Sequence, residues 1–352
     1  LPTWFLILGF GLMFQFRLGV LHDSSWLIPS AWVVVSGPIV LAFNAVLVGN
    51  GRFRMFNKLT WMWIILAFAV CVFVLASGIS YRGGTYGPGK TTPTEVVKPL
   101  LVLGLAGLLA KYGRHMTTST SLLAGRSRQA HVMVLGSWLS VGVVLIMLKD
   151  LGMLAATGGI CLILLTVTTG RWLYLTIGAA GCVSGAWAFQ RFISKGRVRF
   201  EAWLTPFDHP DSSGFQTIRS LFALFNGEFF GQGIGNGFPE TIPLADTDFT
   251  YAAISEEIGW IGSLLLLICV YRIVRAGLKE GSQSSDVYIA LIAVGCSAVW
   301  CVQILLHCGG VIKLIPMTGV PFPGLSSGGT AILVFSTLTG WIMAVSDFNR
   351  RD

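Results

Sequence analysis

Charge is what this 352-residue chain has least of. Only 11% of its residues are Asp, Glu, Lys or Arg, against 54% apolar, and a soluble domain of this length has too little interior to hide that much apolar surface. CxxC pairs are also missing. The seven cysteines (Cys71, Cys161, Cys182, Cys269, Cys296, Cys301 and Cys308) lie in or beside apolar runs, so they read as small hydrophobes rather than disulfides or metal ligands. No cleavable signal peptide is evident, and the chain opens at Leu1 without a methionine, which leaves room for residues ahead of it. The 24 Lys and Arg exceed the 16 Asp and Glu by eight, but they flank apolar runs, which argues for membrane topology and against a nucleic-acid partner.

What the chain has in abundance is membrane-length apolar sequence. A hydrocarbon core of about 30 Å takes roughly 20 apolar residues per helix. Ten candidate spans result, at 3–17, 26–48, 59–79, 95–112, 131–148, 151–169, 172–190, 251–274, 287–306 and 328–346. The expected fold is therefore an all-α polytopic membrane protein of about ten transmembrane helices, one integral membrane domain over 1–352, with a long loop at 191–250 between helices 7 and 8. An even number of spans puts both termini on one side. Connections on that side hold thirteen basic residues, among them Arg52, Arg114, Arg128, Arg272 and Arg351, against five on the other (Arg17, Arg82, Lys90, Lys149 and Lys313). The positive-inside rule then makes both termini cytoplasmic. The polar stretches 80–98, 191–250 and 307–327 fall outside the cytoplasm, where a substrate is met without ATP.

Three features carry candidate chemistry. Glu95 follows Thr92-Pro93-Thr94 and precedes Lys98 by one turn. That pattern suits a capping box with a snorkelling lysine, or an ionisable pair at a membrane helix mouth, and ionisable groups there are often functional. Asp150 sits in a short connection and fits a turn or cap residue. The 191–250 loop holds glycines at 231, 233, 235 and 237. They lack GxGxxG spacing and follow no strand, so they fit close backbone packing or amides presented to an anion such as a pyrophosphate. Asp246 and Asp248 then lead into Glu256 and Glu257. Asp248 can cap the next helix or, as a walled carboxylate, accept a proton from a hydroxyl.

These residues, taken together, resemble the SEDS family (shape, elongation, division and sporulation), the RodA/FtsW/SpoVE group of bacterial cell-wall proteins. Gly214-Phe215-Gln216 and the glycine segment resemble the family's GYQ region, and Thr247-Asp248-Phe249 with Glu256-Glu257-Ile258-Gly259 resembles TDF…EELG. Pro316 to Pro323 with Ser326-Ser327-Gly328-Gly329 resembles PVTGIPLP…SYGG, Thr92 to Glu95 with Lys98 resembles QPSE…K, and Asp150-Leu151-Gly152 resembles the end of QPDLG. Five motifs in family order cover nearly the whole chain. It departs from the pattern at His307 (family Asn), Asp246 (His), Lys149 (Pro), and Thr92 and Thr94 (Gln and Ser), which marks a divergent member.

The resemblance implies a peptidoglycan glycosyltransferase of the bacterial cytoplasmic (inner) membrane. Its substrate would be lipid II, the undecaprenyl-linked disaccharide-pentapeptide, and its partners a class B penicillin-binding transpeptidase and membrane lipids. Asp248 would be the catalytic base. Glu95, Lys98, Asp150, Arg199, Gln216, Arg219, Glu256, Glu257, Thr318 and Ser326 would bind substrate, with Lys98, Arg199 and Arg219 offsetting the leaving group's charge. No cofactor is certain. A divalent cation, magnesium or manganese, could assist, though no ligand spacing demands one and no metal-binding residue is assigned. A precursor flippase and a non-catalytic scaffold are the rival readings.

Overall fold

The computed structural model describes residues 2–21, 35–37, 39–40, 42–43, 53–81, 84–87, 92–118, 125–192 and 194–351. Its helices are α1 (Pro2–Leu21), α2 (Phe53–Lys58), α3 (Thr60–Ser77), α4 (Val97–Thr118), α5 (Gly125–Met147), α6 (Leu151–Thr169), α7 (Leu173–Phe192), α8 (Ser194–Leu204), α9 (Phe215–Asn226), α10 (Thr250–Gln283), α11 (Val287–Val311) and α12 (Gly329–Asn349). Among the described residues, seven segments are long and apolar enough to cross a membrane: Thr60–Ser77, Pro93–Thr117, Gly125–Met147, Leu151–Thr169, Thr250–Gln283, Val287–Val311 and Gly329–Asn349. The protein is a polytopic, essentially all-helical membrane protein. The expected spans at 3–17 and 172–190 are also helical, as α1 and α7. The span expected at 26–48 lies mostly outside the described residues, and Arg52, Arg82 and Lys90 lie outside them.

Two local differences from the sequence expectation are physical in origin. A short antiparallel ribbon pairs Ile79 with Tyr86 and Ser80 with Thr85, because Gly78 is extended at φ −72°, ψ 152° and stops α3. The polar stretch 191–250 is largely helical, containing α8, α9 and two 3₁₀ turns at Pro206–Asp208 and Pro239–Thr241, each opened by a proline at its first turn.

The chain divides into two compact units, 1–37 with 183–273 and 303–333, and 38–182 with 274–302 and 334–352. In the second, α4 is the buried helix. Leu101, Val102, Leu105, Leu108 and Leu109 are all buried, and Gly104 and Gly107 let the side chains of Ile64 and Thr60 on α3 approach its backbone. Small residues serve this purpose where lipid removes the usual hydrophobic drive between helices. In the first unit, Gly11 of α1 abuts the Gly324 carbonyl, where any Cβ would collide. That contact seats α1 against the loop between α11 and α12.

Candidate functional site

The turn from Leu244 to Phe249 leads into α10 and is fixed from several directions. Leu244 takes a left-handed conformation (φ 61°), and its carbonyl accepts from the amides of Thr247 and Phe249, both at 3.1 Å. The buried Ser326 Oγ donates to the Thr247 carbonyl (2.8 Å), accepts from the Phe322 amide (2.9 Å), and lies 3.0 Å from Thr250 Oγ1. One hydroxyl thus ties the Pro316–Gly329 loop to the turn. Gln15 of α1, also buried, donates from Nε2 to the carbonyls of Leu325 (2.8 Å) and Asp246 (3.3 Å). Phe249 is buried as an anchor beneath the turn.

Asp248, next to that anchor, is half-buried and lines a cavity of about 120 Å³ together with Arg199, Gln216, Thr217, Trp203 and Lys313. The α8 helix supplies Arg199, whose Nη1 donates to the Thr318 carbonyl at 3.3 Å. Gly319, at φ 73°, stands between the two charges. A methyl group there would sit 3.4 Å from Arg199 Nη2 and 3.6 Å from Asp248 Oδ2, so guanidinium and carboxylate lie within about 7 Å of each other. Lys313 takes a left-handed conformation (φ 62°); its carbonyl accepts from Trp203 Nε1 (3.1 Å) and its Nζ donates to the Leu204 carbonyl (3.5 Å). A carboxylate beside a guanidinium in a small cavity can take a hydroxyl proton on one side while an anionic leaving group is held on the other.

Glu256 and Glu257, expected to bind substrate, are engaged by the protein's own backbone and side chains. Gly259 breaks the helical course of α10 with φ 69°, ψ −176°, a conformation that suits glycine and not a larger side chain. The break frees the Glu256 and Glu257 carbonyls to accept from the amides of Gln232 (2.9 Å) and Gly233 (3.0 Å). The Glu256 carboxylate accepts from the Phe238 amide (3.0 Å), and that of Glu257 from the Gly235 amide (3.2 Å). Glu257 is also ion-paired with Arg17, which donates to the carbonyls of Gly235 (2.9 Å) and Gly237 (2.8 Å). Both glutamates are buried, at 3% exposure, with carboxylate oxygens committed to the glycine loop. Those loop amides are therefore turned to the protein's own acids, not toward an external anion.

The remaining expected site residues separate clearly. Gln216 and Thr318 join the Asp248 cavity, the first as lining and the second through its carbonyl. Ser326 acts beneath the turn, holding it. Arg219 is exposed, with its guanidinium 5.3 Å from the Phe215 ring, and is not among the residues lining the cavity. In the second unit, Lys98 Nζ donates to Glu95 Oε2 at 2.6 Å, with Lys98 fully buried and Glu95 3% exposed. Thr92 makes no side-chain cap bond, so the geometry is that of a buried ion pair and not of a capping box. Asp150 is the N-cap of α6, accepting from the Met153 amide at 3.0 Å, which is the cap role its short connection suits. His307 is fully buried; its Nδ1 donates to the Val320 carbonyl at 2.8 Å, and its ring meets Phe322 edge-on. Sequence reasoning missed Gln15, Arg17 and Lys313 as parts of this region. Lys313 lies in one of the polar stretches expected outside the cytoplasm, and that was the available signal.

Among the described residues no three His, Cys, Asp or Glu side chains cluster as metal ligands do. The sequence profile of the FtsW, RodA and SpoVE proteins, described as cell cycle proteins, matches residues 3–351. A peptidoglycan glycosyltransferase RodA of Mycobacterium tuberculosis is 34% identical over 267 residues, 74% of this chain and 56% of that protein. The chain thus spans little more than half the length of that relative. The stage V sporulation protein E of Bacillus subtilis is 28% identical over 341 residues, covering 93% of this chain and 89% of the other. A solved structure from a peptidoglycan synthase complex superimposes with a TM-score of 0.73, covering 99% of this chain and 97% of its own, at 18% identity. That last likeness concerns the fold.

Proposed function

Because the chain belongs to the FtsW, RodA and SpoVE family of cell cycle proteins, we propose that it is a peptidoglycan glycosyltransferase, polymerising lipid II at the outer face of the bacterial cytoplasmic membrane with both termini in the cytoplasm. The observation that carries this reading is the cavity that Asp248 lines together with Arg199 and Lys313, with the Arg199 guanidinium within about 7 Å of the Asp248 carboxylate. An acceptor sugar hydroxyl gives its proton to Asp248, and its oxygen attacks the anomeric carbon of the donor. The bond from that carbon to the polyprenyl pyrophosphate breaks, and the departing oxygens are met by Arg199 and Lys313. The general-base step contributes about 10² to 10⁴-fold. The cavity offers a divalent cation, magnesium or manganese, one carboxylate, that of Asp248; its residues do not by themselves make a metal-binding set, and the steps above are derived without one. The family resemblance implies a class B penicillin-binding transpeptidase as partner, and the likeness in fold to a member of a peptidoglycan synthase complex supports that reading.

The flippase and scaffold readings are separated from this one by a single assay of the purified chain with lipid II in vesicles. The proposed enzyme consumes lipid II and forms polymer. Translocation without consumption would establish a flippase, and neither outcome a scaffold.

A further inference from the structure

The α9 helix is inside out for a segment in water. Its buried positions are Thr217, Ile218, Ser220 and Ala223, mostly small or polar, while Phe215, Phe222 and Phe225 face outward. The chain beyond it continues the pattern. Phe230 is 83% exposed, more than Phe225 of the helix at 75%, and Phe229 and Phe238 are exposed as well. Contiguous apolar surface of this kind marks an interaction site.

Its position identifies the occupant. Phe229 packs against Trp260 with ring centroids 5.5 Å apart, and Trp260 Nε1 donates to the Leu224 carbonyl at the end of α9 (3.0 Å). Trp260 lies at the head of the apolar stretch of α10, a helix long and apolar enough to cross a membrane, whose Leu264, Leu265 and Ile268 are exposed where a lipid bilayer would meet them. The aromatic patch is therefore continuous with a lipid-facing surface, and tryptophan is the residue that concentrates at the headgroup level. Arg219 completes the pattern by lying over Phe215 at the edge of the same face, where a cation meets headgroup phosphates while its stem stays on apolar surface.

We infer that α9 and the segment through Phe238 lie in the outer interface of the bilayer, with Phe222, Phe225, Phe229 and Phe230 in lipid and Arg219 at the phosphates. The same helix lines the Asp248 cavity through Gln216 and Thr217. One of its faces thus borders the cavity and another borders lipid, which lets a lipid-anchored headgroup reach Asp248 sideways from the membrane. That consequence rests on the proposed function, whereas the lipid contact does not.

The test uses the full chain in vesicles of phosphatidylglycerol and phosphatidylethanolamine, with a photoreactive benzophenone amino acid replacing Phe225, Phe230, Leu264 or Asp211 in turn. Phe225 and Phe230 are expected to give lipid adducts by mass spectrometry to the extent that Leu264 does, with Asp211, exposed in the polar turn before α9, giving none. Lipid adducts at Leu264 alone would overturn the inference. Crosslinks from Phe225 or Phe230 to a second copy of the chain, without lipid adducts, would also overturn it and make the patch a protein interface. The readout does not depend on catalysis, so an inactive protein would refute the proposed function and leave this result standing.

Discussion

Two acidic regions lie within one short stretch of this chain, and the structure treats them in opposite ways. Asp248 is half-buried against a cavity whose other charged members are Arg199 and Lys313. Glu256 and Glu257 are almost fully buried, with their oxygens taken by Asn226, the Phe238 and Gly235 amides, and Arg17. In the proposed mechanism the same functional group serves chemistry in one place and architecture in the other, and what separates them is whether the carboxylate borders a cavity or the backbone. Burial alone would have ranked the glutamates first, since acids withdrawn from water are the ones whose proton affinity a protein most readily tunes for catalysis. Their hydrogen bonds reverse that order.

The sharpest way to break the comparison is to neutralise both regions without changing shape. Asp248→Asn should lower polymerisation by about 10² to 10⁴-fold at unchanged yield and melting temperature. Glu257→Gln should do the reverse. It strips Arg17 of its counter-charge, and breaking a buried pair costs about 3–5 kcal/mol, so thermal unfolding in detergent should shift down well before the residual folded fraction loses specific activity. The buried Glu95–Lys98 pair of the second unit extends the contrast. Lys98→Met leaves Glu95 buried without its ammonium and should cost about as much, again read as lost thermal stability.

Much of the architecture was legible in advance because a span needs nothing but a long apolar run, and the seven membrane-length segments follow such runs. The helices inside 191–250 were not, because α9 turns its phenylalanines outward and so defeats a rule that buries apolar faces. The turn at Asp248 was legible through its crowd of acids. The clamp was not: Arg17 precedes its partner Glu257 by most of the chain, and in sequence its charge bears only on membrane topology. Gly259 reads as one more helical glycine until its positive φ shows that it opens two carbonyls to the glycine loop.

A smaller effect sharpens the geometry of the cavity. Gly319→Ala places a methyl between Arg199 and Asp248 at a positive φ, with strain of order 1–3 kcal/mol. It should lower polymerisation more than it lowers the melting temperature. Smaller still is Asp246→Asn, whose backbone carbonyl, not its carboxylate, holds Gln15 and the Ser327 amide. Polymer yield from that variant should stay near normal, and a loss larger than that of Asp248→Asn would move the base to Asp246.

The central claim is that Asp248 moves a proton and does not merely hold substrate or cap α10. Lipid II binding and single-turnover polymerisation, measured side by side on purified Asp248→Asn, test it directly. The account predicts affinity close to that of the unaltered chain with turnover reduced by about 10² to 10⁴-fold. Turnover kept near normal, or affinity lost in step with turnover, would contradict it.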